Sequence, residues 1–194
     1  MMRVLLHFGL WRLGLAQPET QTTEAERACL SRHAAGKRRL AEIGVWHGVT
    51  TCRLRRAMAP DAAIFAIDPY PPGRLGFSMH RIIAHREVAK VSNGSVHWVP
   101  KTGAEAAAAL QNAAPFDFVF IDGDHSYEGI QADWLGWRGM LARGGVIALH
   151  DSRSTPERRI EEAGSVRFTS EVILRDPGYT LAAAVDSLTV VRRA

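Results

Sequence analysis

Apolar and polar positions fall into blocks that switch between a strand period and a helix period. Residues 116–121 are an apolar run of aromatic and β-branched side chains, which predicts a buried strand. The polar cluster Asp122-Gly123-Asp124-His125-Ser126 then turns the chain. Ile130, Trp134, Trp137 and Leu141 follow at three-and-four spacing, with Glu128, Gln131 and Arg138 facing away. That pattern predicts a helix, stopped by Gly144-Gly145. Residues 146–149 form a second apolar strand that runs into His150-Asp151. Both strands of this strand–helix–strand unit carry acids and imidazoles at their carboxyl ends, the edge where open α/β sheets bind ligands.

The rest of the chain continues the alternation. Residues 1–17 predict a short amphipathic helix packed on the domain or on a second subunit. Its apolar run is broken by His7 and Arg12 and has no small-x-small cleavage site. Thr22 or Thr23 caps a helix with Glu24 and Glu26 in its first turn, running to about Ala35 and stopped by Gly36. A strand follows at 40–45, then a helix opened by Thr50 or Thr51 and ending near Met58, then a strand at 62–67 closed by Asp68-Pro69. Residues 69–79 carry three prolines and two glycines and predict a loop able to cover a site. A helix at 80–90, a strand at 96–99 and an Ala-rich helix at 103–110 come next. Pro156 is placed to start a helix through Ile160 and Glu162, and another helix crosses 166–174. Two last strands, 179–185 and 188–192, are joined by Asp186-Ser187 as an antiparallel hairpin. The expected fold is α/β: a doubly wound, mostly parallel seven-stranded sheet with a C-terminal antiparallel hairpin. Residues 1–35 form an N-terminal helical segment for capping, acceptor or dimer contacts, and residues 36–194 the main domain.

Composition narrows the function classes. With 194 residues, 46% of them apolar and 23% charged, the chain is globular and of single-domain size. No stretch approaches the roughly 20 apolar residues that span a bilayer. Cys29 and Cys52 have neither metal spacing nor a disulfide framework, which fits a reducing compartment, and a cytoplasmic location is expected. The formal charge of +4 comes from scattered arginines, read as solvated helix faces rather than a nucleic-acid surface.

The run from Glu42 to Gly48 is a strand entering a glycine-bearing turn that feeds a helix. Gly44 and Gly48 let backbone approach a ligand, and the helix N-terminus offers free N–H groups. Bulky Trp46 and His47 between them do not fit the G-x-G-x-x-G that cradles a pyrophosphate. Glu42 suits an ammonium group, and Asp68 ends the next strand, where an acid takes ribose hydroxyls in such folds. Both acids also have structural readings, Glu42 as a tie for the turn and Asp68 as a strand-end cap. A ligand with an ammonium, a ribose and no phosphate describes S-adenosylmethionine better than a nicotinamide dinucleotide.

Together, E-I-G-V-x-x-G, the Asp68 strand end, IDGDHSYEG and G-G-V-I-A-L-H-D resemble class I S-adenosylmethionine-dependent methyltransferases. The similarity is to the bacterial IDGDHSYEG group, which includes sugar and small-molecule O-methyltransferases, and it covers residues 21–192. The resemblance implies that Glu42 and Gly44 lie beside the methionine part of the cofactor, with Gly48 also binding the cofactor and Asp68 on the ribose. Thr102 and Gly103 would approach the adenine, although Lys101-Thr102-Gly103 departs from the usual G-x-S, and Asp122 would close the cofactor site. His125 would be the general base or a turn residue capping the next helix. Asp124 would be its partner, a ligand or a helix cap. Asp122, His150 and Asp151 would hold Mg²⁺ or another divalent metal, or form a polar network that orients His125; His150 departs from the Asp of metal-dependent relatives. Trp46, Tyr70 and Phe77 would line an acceptor pocket, whereas Trp134 and Trp137 fit the core stripe. The implied activity is O-methylation of a small hydroxylated acceptor, a carbohydrate rather than a phenol, by a homo-oligomer without nucleic-acid or membrane partners. The alternatives are a nicotinamide-dependent oxidoreductase and a non-catalytic cofactor- or RNA-binding protein.

Overall fold

The computed structural model describes residues 2–194. Seven strands are present: β1 (Arg39–Ile43), β2 (Ala63–Ile67), β3 (Ser95–Val99), β4 (Phe116–Ile121), β5 (Leu141–Leu149), β6 (Tyr179–Val185) and β7 (Leu188–Arg193). The α-helices are α1 (Met2–Arg12), α2 (Glu24–Ala34), α3 (Val49–Ala57), α4 (Met79–Ala89), α5 (Gly103–Ala109), α6 (Tyr127–Trp137) and α7 (Gly164–Glu171). The strands form one sheet in the order β3-β2-β1-β4-β5-β7-β6. The first five are parallel, and β7 pairs antiparallel with both β5 and β6. This is the doubly wound sheet with a terminal hairpin expected from the alternation of elements.

Strand periodicity sends alternate side chains to opposite faces, so each central strand feeds two cores. Leu40, Phe118, Phe120, Val146 and Ala148 pack with Cys29 and Leu30 of α2 and Leu54 of α3. Ala41, Ile43, Val119, Ile121 and Ile147 pack on the other side with Ala106 of α5, Trp134 and Trp137 of α6, and Phe168 of α7. The result is a helix–sheet–helix sandwich with both faces of the parallel sheet covered, as such sheets require. Outside it, α1 lies against α4, and its buried Trp11 donates Nε1–H to Glu87 at 2.7 Å. Among the described residues, no helix is long and apolar enough to cross a membrane.

Three local expectations are corrected. The helix after β4 ends at Trp137 rather than at Gly144-Gly145. A single 3-10 turn then leads into β5, which starts at Leu141 because Leu141 pairs with Phe116 across the sheet. The two glycines sit inside that strand, where its pairing shifts register. The third helix is opened by Gly48 rather than by Thr50 or Thr51; both threonines are buried inside it, and no side chain caps it. Residues 156–162 form bends, not a helix, held by backbone hydrogen bonds between Thr155 and Arg158. Elsewhere the capping chemistry matches, with Thr23 and Glu26 forming a reciprocal capping box at the start of α2.

Candidate functional site

β1 lies between β2 and β4, so the chain leaves it in opposite directions on its two sides, and a crevice opens above the carboxyl ends there. The strand tips are knitted one residue further. Gly44 N–H bonds to Ile67 O at 2.9 Å, Asp122 N–H to Ile43 O at 2.8 Å, and His150 N–H to Ile121 O at 3.0 Å. Gly44 has φ +86, and a Cβ there would collide with the Asp122 carbonyl, so only glycine lets the two tips cross this closely. The crevice holds about 630 Å³, within the roughly 300–1,000 Å³ usual for small-molecule sites. Its wall includes Gly44, Trp46, Asp68, Thr102, Gly103, Asp122, Asp124, His125 and Asp133, with residues 19–21 across one end.

Asp68 organises the turn after β1 at the crevice wall. Its Oδ2 accepts the backbone N–H groups of Val45 (3.1 Å) and Trp46 (3.0 Å), and its Oδ1 accepts that of Tyr70 (2.9 Å). A carboxylate has about four acceptor positions, so one remains for a ligand hydroxyl. The strand-end cap therefore keeps one acceptor position open to the crevice. Trp46 and Tyr70 both take positive φ around this knot. Tyr70, read as an acceptor-pocket ring, is instead packed with Val45, Ala66 and Ala84 and donates its hydroxyl to Trp46 O.

Two glycine-turn residues lie away from the crevice wall. Gly48 abuts α4, where a Cβ would press on Val88 and Ala84. Glu42 is fully buried beneath α3, and neither of its oxygens has a hydrogen-bond partner. Burial, partly offset by the nearby Thr51 hydroxyl and reinforced by Asp122 and Asp68, pushes its carboxyl up to about 8. Thr102 reaches the crevice, but its hydroxyl and amide are committed to a capping box with Glu105.

At the reacting end, acids and imidazoles converge as expected. His125 Nε2 is 3.5 Å from Asp122 Oδ1 and 3.9 Å from Asp151 Oδ2, with the imidazole partly exposed to the crevice. His150 is buried; its Nδ1 meets Asp122 Oδ1 at 2.8 Å, and its Nε2 lies 3.3 Å from Glu26 Oε2. Burial disfavours its charged form, but the hydrogen bond to Asp122 and the carboxylates of Glu26 and Asp151 close by hold it above the usual imidazole range. Asp151 is also paired with Arg158. Asp124 Oδ1 accepts the Ser126 amide at 2.9 Å, which makes it a turn cap ahead of α6 and lowers its carboxyl.

Three contributors were not singled out in the sequence. Glu26 reaches back from α2 to Ser187 and His150, although it reads as an ordinary first-turn acid. Asp133, buried on α6, faces the crevice. Residues 19–21 are tied over the turn by the Glu19 amide, which donates to His47 Nδ1 at 2.9 Å. The His47 proton therefore sits on Nε2 and points to His80 Nδ1 at 2.8 Å. His7, Glu19 and His47 also bring ligand atoms within 4.8 Å of one another, but His47 has no lone pair left for an ion.

A family model described as a methyltransferase domain matches residues 41–152. The chain is similar to an uncharacterized protein, y4gI, of Sinorhizobium fredii (strain NBRC 101917 / NGR234), with 29% identity over 129 residues. The match covers 62% of this chain but only 14% of that relative's length. Among solved structures, an O-methyltransferase from Bacillus cereus in complex with SAH matches with a TM-score of 0.65 at 20% identity, over 99% of this chain and 90% of that one. TomG from Streptomyces achromogenes, an O-methyltransferase involved in tomaymycin synthesis, was solved in complex with SAM. It matches with a TM-score of 0.63 at 18% identity, over 98% of this chain and 89% of that one. At such identities the likeness is one of fold.

Proposed function

This chain belongs to the methyltransferase-domain family, and we propose that it transfers the methyl group of S-adenosylmethionine to a hydroxyl of a small polar acceptor. The observation that carries this reading is the single crevice running from Gly103 past Asp68 to His125, with one acceptor position of Asp68 left for a ribose hydroxyl. Residues at the Gly103 end would hold the adenosine, and Asp122 and His125 would lie on the side of the sulfonium. His125 takes the acceptor's proton as the oxygen attacks the methyl carbon and the carbon–sulfur bond breaks. The products are the methyl ether, S-adenosylhomocysteine and a proton. Asp122 and Asp151 flank the imidazole and stabilise the imidazolium that forms. The acceptor end is lined by Glu19, Thr20, Gln21 and Trp46, a mixture of polar groups and one ring that suits a carbohydrate. The N-terminal segment thereby serves as a cap. Self-association belongs to the same reading, supported by the exposed Leu5, Leu6, Leu13 and Leu15.

His125→Ala is expected to lower kcat by at least about a hundredfold, the usual scale of general-base catalysis, with little change in cofactor affinity. Full turnover at saturating cofactor would remove His125 from the reaction.

A second reading is favoured by the closeness of ligand atoms on Asp122, His125 and His150, all within 4.8 Å. With Glu26 fixing Nε2, His150 would offer Nδ1 to a divalent ion, and Asp151 would join by releasing Arg158. When bound, the ion would lower the pKa of the acceptor hydroxyl. In the structure, however, the 2.8 Å contact between His150 Nδ1 and Asp122 is a hydrogen bond whose proton an ion must displace. The first reading therefore expects activity to survive exhaustive chelation; loss with EDTA and recovery with Mg²⁺ would establish the second.

A further inference from the structure

Asp133 is an acid where the sequence pattern calls for an apolar residue. It lies on the buried stripe of α6, between Ile130 and Trp134, and is only 5% exposed. That small exposure is to the crevice, at the end built by Thr102, Gly103 and Gly123. Its carboxylate sits in a slot between two backbones. A Cβ on Gly103 would collide with it, and one on Gly123 would come within 3.5 Å of Oδ2. No donor among the described residues meets it, and the one charged neighbour that it feels is another acid, Asp124. Burial accordingly pushes its carboxyl up to about 6. Leaving such a group unpartnered costs stability, and buried polar groups without a partner in a native fold call for a ligand or a role.

Two neighbouring acceptors at this end are occupied. The Thr102 hydroxyl accepts the Glu105 backbone N–H at 3.4 Å, and the Gly103 carbonyl accepts Trp137 Nε1–H at 3.0 Å. A purine base entering here meets the buried Asp133 carboxylate as an acceptor without a donor, and the group on adenine that supplies a donor is its exocyclic amine. Resting on the cofactor reading above, we propose that Asp133 accepts a hydrogen bond from the adenine amino group and is the residue by which this site distinguishes an adenosyl ligand from an inosyl one. The departure of Lys101-Thr102-Gly103 from the usual pattern then has a counterpart. Recognition of the base moves from the loop after β3 to the helix after β4. Inosine presents a carbonyl at the same position, which would face the carboxylate acceptor to acceptor.

The test is calorimetric titration of wild type, Asp133→Asn and Asp133→Ala with S-adenosylhomocysteine and with S-inosylhomocysteine. Because the quantity of interest is the ratio of the two affinities in one sample, a partly unfolded variant does not distort it. Wild type is expected to prefer the adenosyl ligand by about a hundredfold, the scale of a hydrogen bond to a charged group. Asn can turn either its carbonyl or its amide toward the base, so Asp133→Asn should bring the ratio below about fivefold while still binding S-adenosylhomocysteine. Asp133→Ala should flatten the ratio by weakening the adenosyl ligand. An unchanged ratio in Asp133→Asn, with binding still lost in Asp68→Ala, would overturn this assignment and leave the cofactor reading standing. Failure of wild type to bind either nucleoside would overturn both.

Discussion

Asp68→Ala is expected to weaken binding of S-adenosylhomocysteine by about a hundredfold or more and to lower the melting temperature as well. The carboxylate holds the Val45, Trp46 and Tyr70 amides, and in the proposed complex one ribose hydroxyl. A hydrogen bond to a charged group contributes roughly 1.5–3 kcal/mol, and each 1.4 kcal/mol is tenfold in affinity. Losing the ribose contact alone therefore weakens binding by roughly ten- to a hundredfold. The rest follows from the turn, since Trp46 and Tyr70 lose the anchor that holds them at positive φ. Calorimetry reports the first effect and thermal unfolding the second. A variant that melts early but binds with wild-type affinity would confine Asp68 to a structural role.

Glu42→Gln is expected to stabilise the protein at alkaline pH and to leave it nearly unchanged in acid. The carboxyl is buried without a hydrogen-bond partner, and burial pushes it up to about 8, from the 4.5 of an exposed glutamate. A folded value raised above the unfolded one means that the native state binds the proton more tightly. The stability linked to Glu42 is therefore complete below about 4.5 and lost as pH rises toward and through 8. At 1.36 kcal/mol per unit, the loss reaches on the order of 4 kcal/mol by pH 8. Glutamine copies the neutral form and has nothing to lose. Melting curves at pH 5 and pH 8 should show wild type falling relative to the variant; parallel behaviour would mean that Glu42 is ionised and paired in the native protein.

The two residues show what a sequence can and cannot disclose. Strands, most helices and the parallel order followed from periodicity, because each element buries one face or two and the pattern records it. The same rule misplaced the end of α6: Leu141 lies four residues after Trp137 and continues the stripe, yet cross-strand pairing with Phe116 claims it for β5. Gly48 opens α3 although threonines follow it, because its place against α4 leaves no room for a side chain. The carboxyl-end rule pointed to Asp68, Asp122 and His125, which line the crevice, and to His150, which is buried behind Asp122. The sequence showed no sign that Glu42 points away from the ligand edge, since a strand residue one position from the turn can face either core. Glu26 is invisible for another reason, as its partners Ser187 and His150 come from distant β-strand ends. Asp133 did carry a signal: an acid at a buried stripe position between Ile130 and Trp134 is a cost that a helix does not bear without cause.

The most direct measurement is an isothermal titration of the unmodified protein with S-adenosylhomocysteine. Saturable one-to-one binding with a Kd no weaker than about 1 mM, the upper end of usual enzyme–substrate ranges, is the expected result. A flat titration at millimolar nucleoside, from protein shown by its melting curve to be folded, would contradict the claim that the crevice above β1 and β4 holds a sulfonium nucleoside.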